Sequence, residues 1–106
     1  MNNTSTFFRA NVTVTTDGIV ALCEKYHIAR LSLFGSVIRD DFNRDSDVDV
    51  LVEFESGKTP GLRFFTIQDE LTQLFGRRVE LNTPESLSIY FRNKVEAEAV
   101  PLYVQP

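Results

Sequence analysis

Apolar residues recur along this chain in two alternating periods, and the switches between them mark out the elements. Ile19, Leu22, Cys23 and Tyr26 fall at i, i+3, i+4 and i+7, which predicts an amphipathic helix over residues 17–28 with Thr16 or Asp17 as its cap. The pattern then shortens to a period of two. "RLSLF" (30–34) reads as a strand ending at Gly35. "DVDVLVEF" (47–54) reads as a second strand with Val48, Val50, Val52 and Phe54 on one face. Helical spacing returns at Phe64, Ile67, Leu71, Leu74 and Phe75, predicting a helix over 61–75. Gly76 stops it, because glycine adopts the left-handed conformation cheaply. "RRVELN" (77–82) is a third strand. The segment from Thr83 reads as a closing helix, with Thr83 as cap, Pro84 in the first turn and Pro101 as its end. Before residue 16 the chain is polar and reads as a frayed or lightly docked arm.

Strands alternating with helices in this order predict a small α/β domain: a mixed sheet of three or more strands with helices packed on it. The 106 residues form one such domain, too short for a second lobe. No window approaches the ~18 uninterrupted apolar residues of a membrane span, and the N-terminus lacks the layout of a signal peptide. The expected location is therefore cytoplasmic, with no membrane partner. The net charge of −4 argues against a protein that holds long nucleic acid by its backbone, which needs a basic face. Cys23 is the single cysteine, on the apolar side of its helix, and reads as a small buried hydrophobe. His27, the single histidine, reads as a surface residue near a helix end.

Against this background one stretch is out of place. "SDVDVLVEF" begins a strand with Asp47 and Asp49, two residues apart and so on the same face, about 6–7 Å from backbone to backbone. Two like charges there need an opposite charge between them. Magnesium takes hard oxygen ligands, one or two carboxylates together with water and phosphate oxygens, so the pair suits a metal-bridged nucleotide. Glu80 on "RRVELN" is the candidate third carboxylate. Upstream, Gly35-Ser36 supplies a bend where backbone can approach a phosphate and a hydroxyl can bind one. A short helix over 37–41 would aim further N–H groups at the same anion. An EF-hand calcium loop starting at Asp45 is excluded. It needs glycine sixth and glutamate twelfth, and Val50 and Ser56 stand there. Arg39 is open between a phosphate contact and a surface ion pair. Arg44 reads as a surface pair, and Arg77 and Arg78 as decoration of a strand edge. "PLYV" near the C-terminus is left as a core cover or a partner contact.

Gly35-Ser36, ten intervening residues and Asp47-x-Asp49 within "SDVDVLV" together resemble the signature of the polymerase-β-like nucleotidyltransferases. More closely, the chain resembles the minimal nucleotidyltransferase (MNT) family of MntA type. The likeness runs from the helix before "LFGS" to "VELNTPESLSIYFRNKVEAEAVPLY". The resemblance implies that Gly35, Ser36 and Arg39 bind nucleotide, and that Asp47, Asp49 and Glu80 hold magnesium and carry catalysis. Asp40 replaces the glycine that follows the arginine in the family's pattern, and Glu80 stands where many relatives have aspartate. It further implies an antitoxin that transfers AMP from ATP to a tyrosine hydroxyl of a HEPN-domain ribonuclease toxin, in an oligomer with that toxin. The alternative is a nucleotide-binding subunit that neutralises its partner by contact alone. The toxin's own Arg-x(4–6)-His signature is absent, which makes this chain the modifier.

Overall fold

A computed structural model describes residues 6–9 and 12–106 of the chain. Its order is β1 (Thr6–Arg9), β2 (Val12–Thr15), α1 (Thr16–Lys25), β3 (Ile28–Phe34), a 3-10 turn (Gly35–Ile38) and β4 (Val48–Phe54). Then come α2 (Arg63–Phe75), β5 (Val79–Asn82), a second 3-10 turn (Pro84–Ser86), α3 (Ile89–Glu98) and β6 (Val100–Val104). The four-stranded sheet runs β5-β4-β3-β6. It is mixed, as predicted: β4 pairs antiparallel with β3 and parallel with β5, and β6 lies antiparallel on the other side of β3.

Alternation along the strands divides the sheet into two faces. Leu31, Leu33, Val48, Val50, Val52, Val79 and Leu81 point to one side and are buried with Ile19, Leu22 and Cys23 of α1 and Ile67, Leu71 and Phe75 of α2. The opposite face carries Phe34 of β3, Asp49 of β4 and Glu80 of β5 in one row, since Phe34 pairs with Asp49 and Asp49 with Glu80. The core therefore lies on one side of the sheet, and the acidic positions on the other.

At the β5 edge of the sheet, unpaired backbone donors are met by helix side chains. Gln68 Oε1 accepts from the Leu81 N–H at 2.9 Å and Thr72 Oγ1 from the Val79 N–H at 3.1 Å. Spaced by four, these two side chains lie on one face of α2 and fix it along the strand. Gly76 ends α2 in the left-handed conformation, φ 67°, as expected.

Several boundaries differ from the sequence reading. The polar arm is not frayed over its described part: Thr6–Arg9 and Val12–Thr15 pair as an antiparallel hairpin, and Val12 and Val14 enter the core. The rest of that arm, residues 1–5 and 10–11, lies outside the described residues. Thr15, rather than Thr16 or Asp17, caps α1 by accepting from the Gly18 N–H at 3.3 Å. That helix ends at Lys25, because His27 turns the chain at φ 57° and β3 starts at Ile28. Gly61, also at positive φ, delays α2 to Arg63.

The closing helix is divided. Thr83 and Ser86 form a reciprocal capping box that closes only a 3-10 turn, and Ser88 then caps a separate α3. Pro101 does not close that helix but sits within β6, on the outer edge of the sheet, where a missing N–H costs no ladder bond. "PLYV" is thus an edge strand on β3, and its Leu102 and Tyr103 pack against the core, the first of the two roles left open for it.

Candidate active site

Gly35, Ser36, Asp47, Asp49 and Glu80 lie around the junction of β3, β4 and β5. β3 ends at Phe34 and the chain turns sharply at Gly35, φ +77°. The turn takes the form of a 3-10 helix over Gly35–Ile38, not the helix over 37–41 that the sequence suggested. Val37, fully buried, ties it to the core, and Ser36 lies partly exposed inside it with its carbonyl accepting from the Arg39 N–H at 2.9 Å. A four-residue turn has no sustained dipole, so the turn offers a phosphate no more than the Ser36 hydroxyl and local backbone N–H groups.

Gly35 meets a second requirement at this turn. A Cβ built on it would overlap the Asp49 Oδ2 atom. Absence of a side chain at 35 is what allows the Asp49 carboxyl to lie directly against the bend that holds Ser36.

On the other flank, Glu80 is the register partner of Asp49 in the parallel β4–β5 pair. Their backbones are thus about 4.8 Å apart with side chains on one face. Asp47 precedes β4, which starts at Val48, and its carboxylate is 3.9 Å from Arg78 Nε. That pair is largely exposed and contributes little energy, in keeping with Arg78 as a residue of the strand edge.

Electrostatics tie the group together. The Asp49 carboxyl is pushed up to about 6, chiefly by burial and then by the facing Glu80 and Asp47 carboxylates, while Arg39 acts in the opposite direction. Among the described residues, no three acidic, histidine or cysteine side chains converge tightly enough to form a ready metal cage. The donor chemistry nonetheless fits a hard divalent cation, since the groups that face one another here are carboxylates, with Asp49 set opposite Glu80. Asp47, Asp49 and Glu80 are the residues that could hold it.

Arg39 lies 3.7 Å from Asp41 Oδ1, which is the surface pair left open for it, and its charge also acts on Asp49. Arg44 is exposed and makes no ion pair among the described residues. Arg77, also read as edge decoration, anchors the loop that delivers Asp47. Its Nη2 donates to the carbonyls of Asn43 at 2.6 Å and Ser46 at 3.1 Å, and its guanidinium lies 4.4 Å from the Phe42 ring centroid. Nothing in local sequence links residue 77 to residues 42–46; only the parallel pairing of β4 and β5 brings them together.

A concavity of about 620 Å³ involves Phe54, Thr59, Phe64 and Pro84, and none of these site residues lines it. His27, 3.9 Å from Glu55 Oε1, and Cys23, fully buried, stand apart from the site, as expected.

A family model described as a nucleotidyltransferase domain matches residues 19–102. Among curated proteins, the protein adenylyltransferase MntA of Thermococcus cleftensis is 36% identical over 80 residues, which span 74% of this chain and 79% of its own. A candidate protein adenylyltransferase of Methanocaldococcus jannaschii is 35% identical over 81 residues, 74% of this chain and 81% of its own. A solved structure described as a candidate minimal nucleotidyltransferase superposes with a TM-score of 0.68 at 35% identity, over 81% of this chain and 87% of that one. A toxin–antitoxin structure solved with AMP-PNP has the same fold, with a TM-score of 0.67 at 20% identity over 85% of this chain and 73% of that one.

Proposed function

The chain belongs to the nucleotidyltransferase-domain family, and from that premise we propose that it is a magnesium-dependent protein adenylyltransferase that acts as an antitoxin. It transfers AMP from ATP to a tyrosine hydroxyl of a HEPN-domain toxin partner, and residues 1–106 act as one catalytic domain. The observation that carries this reading is the position of Asp49, in contact range of the Gly35 bend on one side and paired with Glu80 on the other. A binding surface alone gains nothing from burying a carboxyl between two others.

In this reading Ser36 and the backbone at Gly35 hold phosphate oxygens, with Arg39 contributing positive charge. Asp47, Asp49 and Glu80 would hold magnesium, which when bound balances phosphate charge and lowers the pKa of the attacking hydroxyl. The acceptor oxygen forms a bond to the α-phosphorus, the bond from that phosphorus to the bridging oxygen of the β-phosphate breaks, and pyrophosphate leaves. The hydroxyl proton passes to Asp49 or Glu80. In the metal-free protein burial and then two neighbouring carboxylates raise Asp49 above an ordinary aspartate, a charge cluster that a bound cation would relieve.

The names of the relatives support the reading: protein adenylyltransferase for the curated proteins, and MntA–HepT toxin–antitoxin for a solved assembly of the same fold. To test it, the protein is incubated with α-labelled ATP, magnesium and the product of the neighbouring gene. Label on a tyrosine of the partner, lost in Asp47→Asn and Asp49→Asn, is the expected result. Full neutralisation of the partner by both variants, with no label transferred, would show instead that contact alone is the mechanism.

A further inference from the structure

Beside the acidic row lies a smaller cleft that the proposed chemistry has not used. It has a volume of about 260 Å³, and one wall is the bend itself: Phe34, Gly35 and Arg39. The other wall is α3, through Phe91, Lys94 and Val95. Gly35 is shared between this cleft and the Asp49 carboxyl, so the two sites are continuous.

α3 is unusual as a helix of a small domain, because none of its residues is buried. Its Phe91 is 62% exposed at the mouth of the cleft. Lys94, one turn on, makes no ion pair among the described residues. An aromatic ring and an ammonium left facing a concavity, beside aliphatic Val95, form a surface suited to a flat heteroaromatic ring. The volume agrees, being slightly below the range of roughly 300–1,000 Å³ typical of whole-ligand pockets and so sized for part of a ligand.

We propose that this cleft is the base-and-ribose subsite of the nucleotide, with Phe91 stacked on the base. The proposal rests on the adenylyltransferase reading for the presence of a nucleotide, and adds where its non-reacting end is held. Gly35 adjoins both the acidic row and this cleft, so a nucleoside joined to a phosphate at that row reaches the cleft by crossing the bend. Lys94 and Glu98, a donor and an acceptor at the same rim, are within the cleft to meet polar edges of the base or ribose. Discrimination between nucleotides thus comes from α3, while reactivity comes from the sheet.

The test compares ATP with inorganic tripolyphosphate, which shares the charged end and lacks the nucleoside. Calorimetric titrations with magnesium use the wild-type chain, Phe91→Ala and Val95→Trp, with circular dichroism to confirm folding. Loss of one stacking partner is expected to weaken ATP binding about tenfold. Val95→Trp, which fills the cleft, should remove the advantage of ATP over tripolyphosphate, and both variants should bind tripolyphosphate as the wild type does. ATP affinity unchanged in both variants, or ATP and tripolyphosphate binding equally to the wild type, overturns the subsite alone. Failure of both ligands to bind the wild type overturns the nucleotidyltransferase reading with it.

Discussion

Gly35 and Asp49 are packed so closely at the end of the β3–β4 pair that any side chain at position 35 would displace the Asp49 carboxyl. The same residue also holds a left-handed backbone, φ +77°. Gly35→Ala therefore meets two penalties, about 1 kcal/mol of backbone strain and a collision with a site carboxylate. Urea unfolding should show a loss of about 1–2 kcal/mol, and nucleotide titration a loss of affinity well beyond what the stability change explains. A variant that unfolds earlier yet binds nucleotide normally would separate the bend from the site.

Asp49 predicts a pH dependence of the metal-free protein. Its carboxyl stands near 6 in the fold against 3.8 for the unperturbed group, raised first by burial and then by Glu80 and Asp47. Because the folded value is the higher one, protonation favours the fold. The contribution is fully present below about pH 4 and is lost as pH rises through about 6. Asp49→Asn, which stays neutral, should thus be more stable than wild type at about pH 7.5, by about 1 kcal/mol after allowance for the partial exposure of the group. The gap should close as pH falls toward 4 in paired urea titrations. A gap independent of pH would mean that the Asp49 carboxyl is not raised by the fold at all.

Arg77 tests whether the loop before β4 must be held for the acidic pair to work. Arg77→Ala removes two hydrogen bonds to backbone carbonyls and the contact with Phe42. A loss of about 1–2 kcal/mol is expected. Amide exchange should accelerate over residues 43–47 while the protection of α1 and α2 stays unchanged. Uniform acceleration across the chain would assign Arg77 a general role in the fold instead.

Cys23 should be chemically silent in the native state. It is fully buried on α1, and burial, followed by the nearby charge of Glu24, pushes its thiol up to about 12. Iodoacetamide near neutral pH should alkylate it only as the chain unfolds, with a urea dependence that follows circular dichroism. Rapid labelling without denaturant would place the thiol outside the core.

Much of this architecture is written in short-range pattern. The i, i+3, i+4, i+7 spacing of Ile19, Leu22, Cys23 and Tyr26 and the alternation of Val48, Val50 and Val52 each bury one face, because helix and strand periods alone decide which side chains share a side. For the same reason Asp47 and Asp49 were legible as a pair before any coordinates. The N-terminal hairpin was not: two valines among threonines are too brief an alternation to separate a strand from a polar arm, and only their burial against the core fixes them. The break at Leu87–Ser88 was equally hidden, since Thr83-Pro84 starts an α-helix and a 3-10 turn with the same residues.

What tertiary structure decided is register and approach. Sequence could name Glu80 as a third carboxylate, but only the parallel β4–β5 pairing sets it opposite Asp49. Sequence could mark Gly35 as a bend, but only the contact with Asp49 shows why no side chain fits there. Local periodicity assigns a residue to a face. The neighbour across that face depends on how strands slide past one another, which is set by the packing of the whole sheet on α1 and α2.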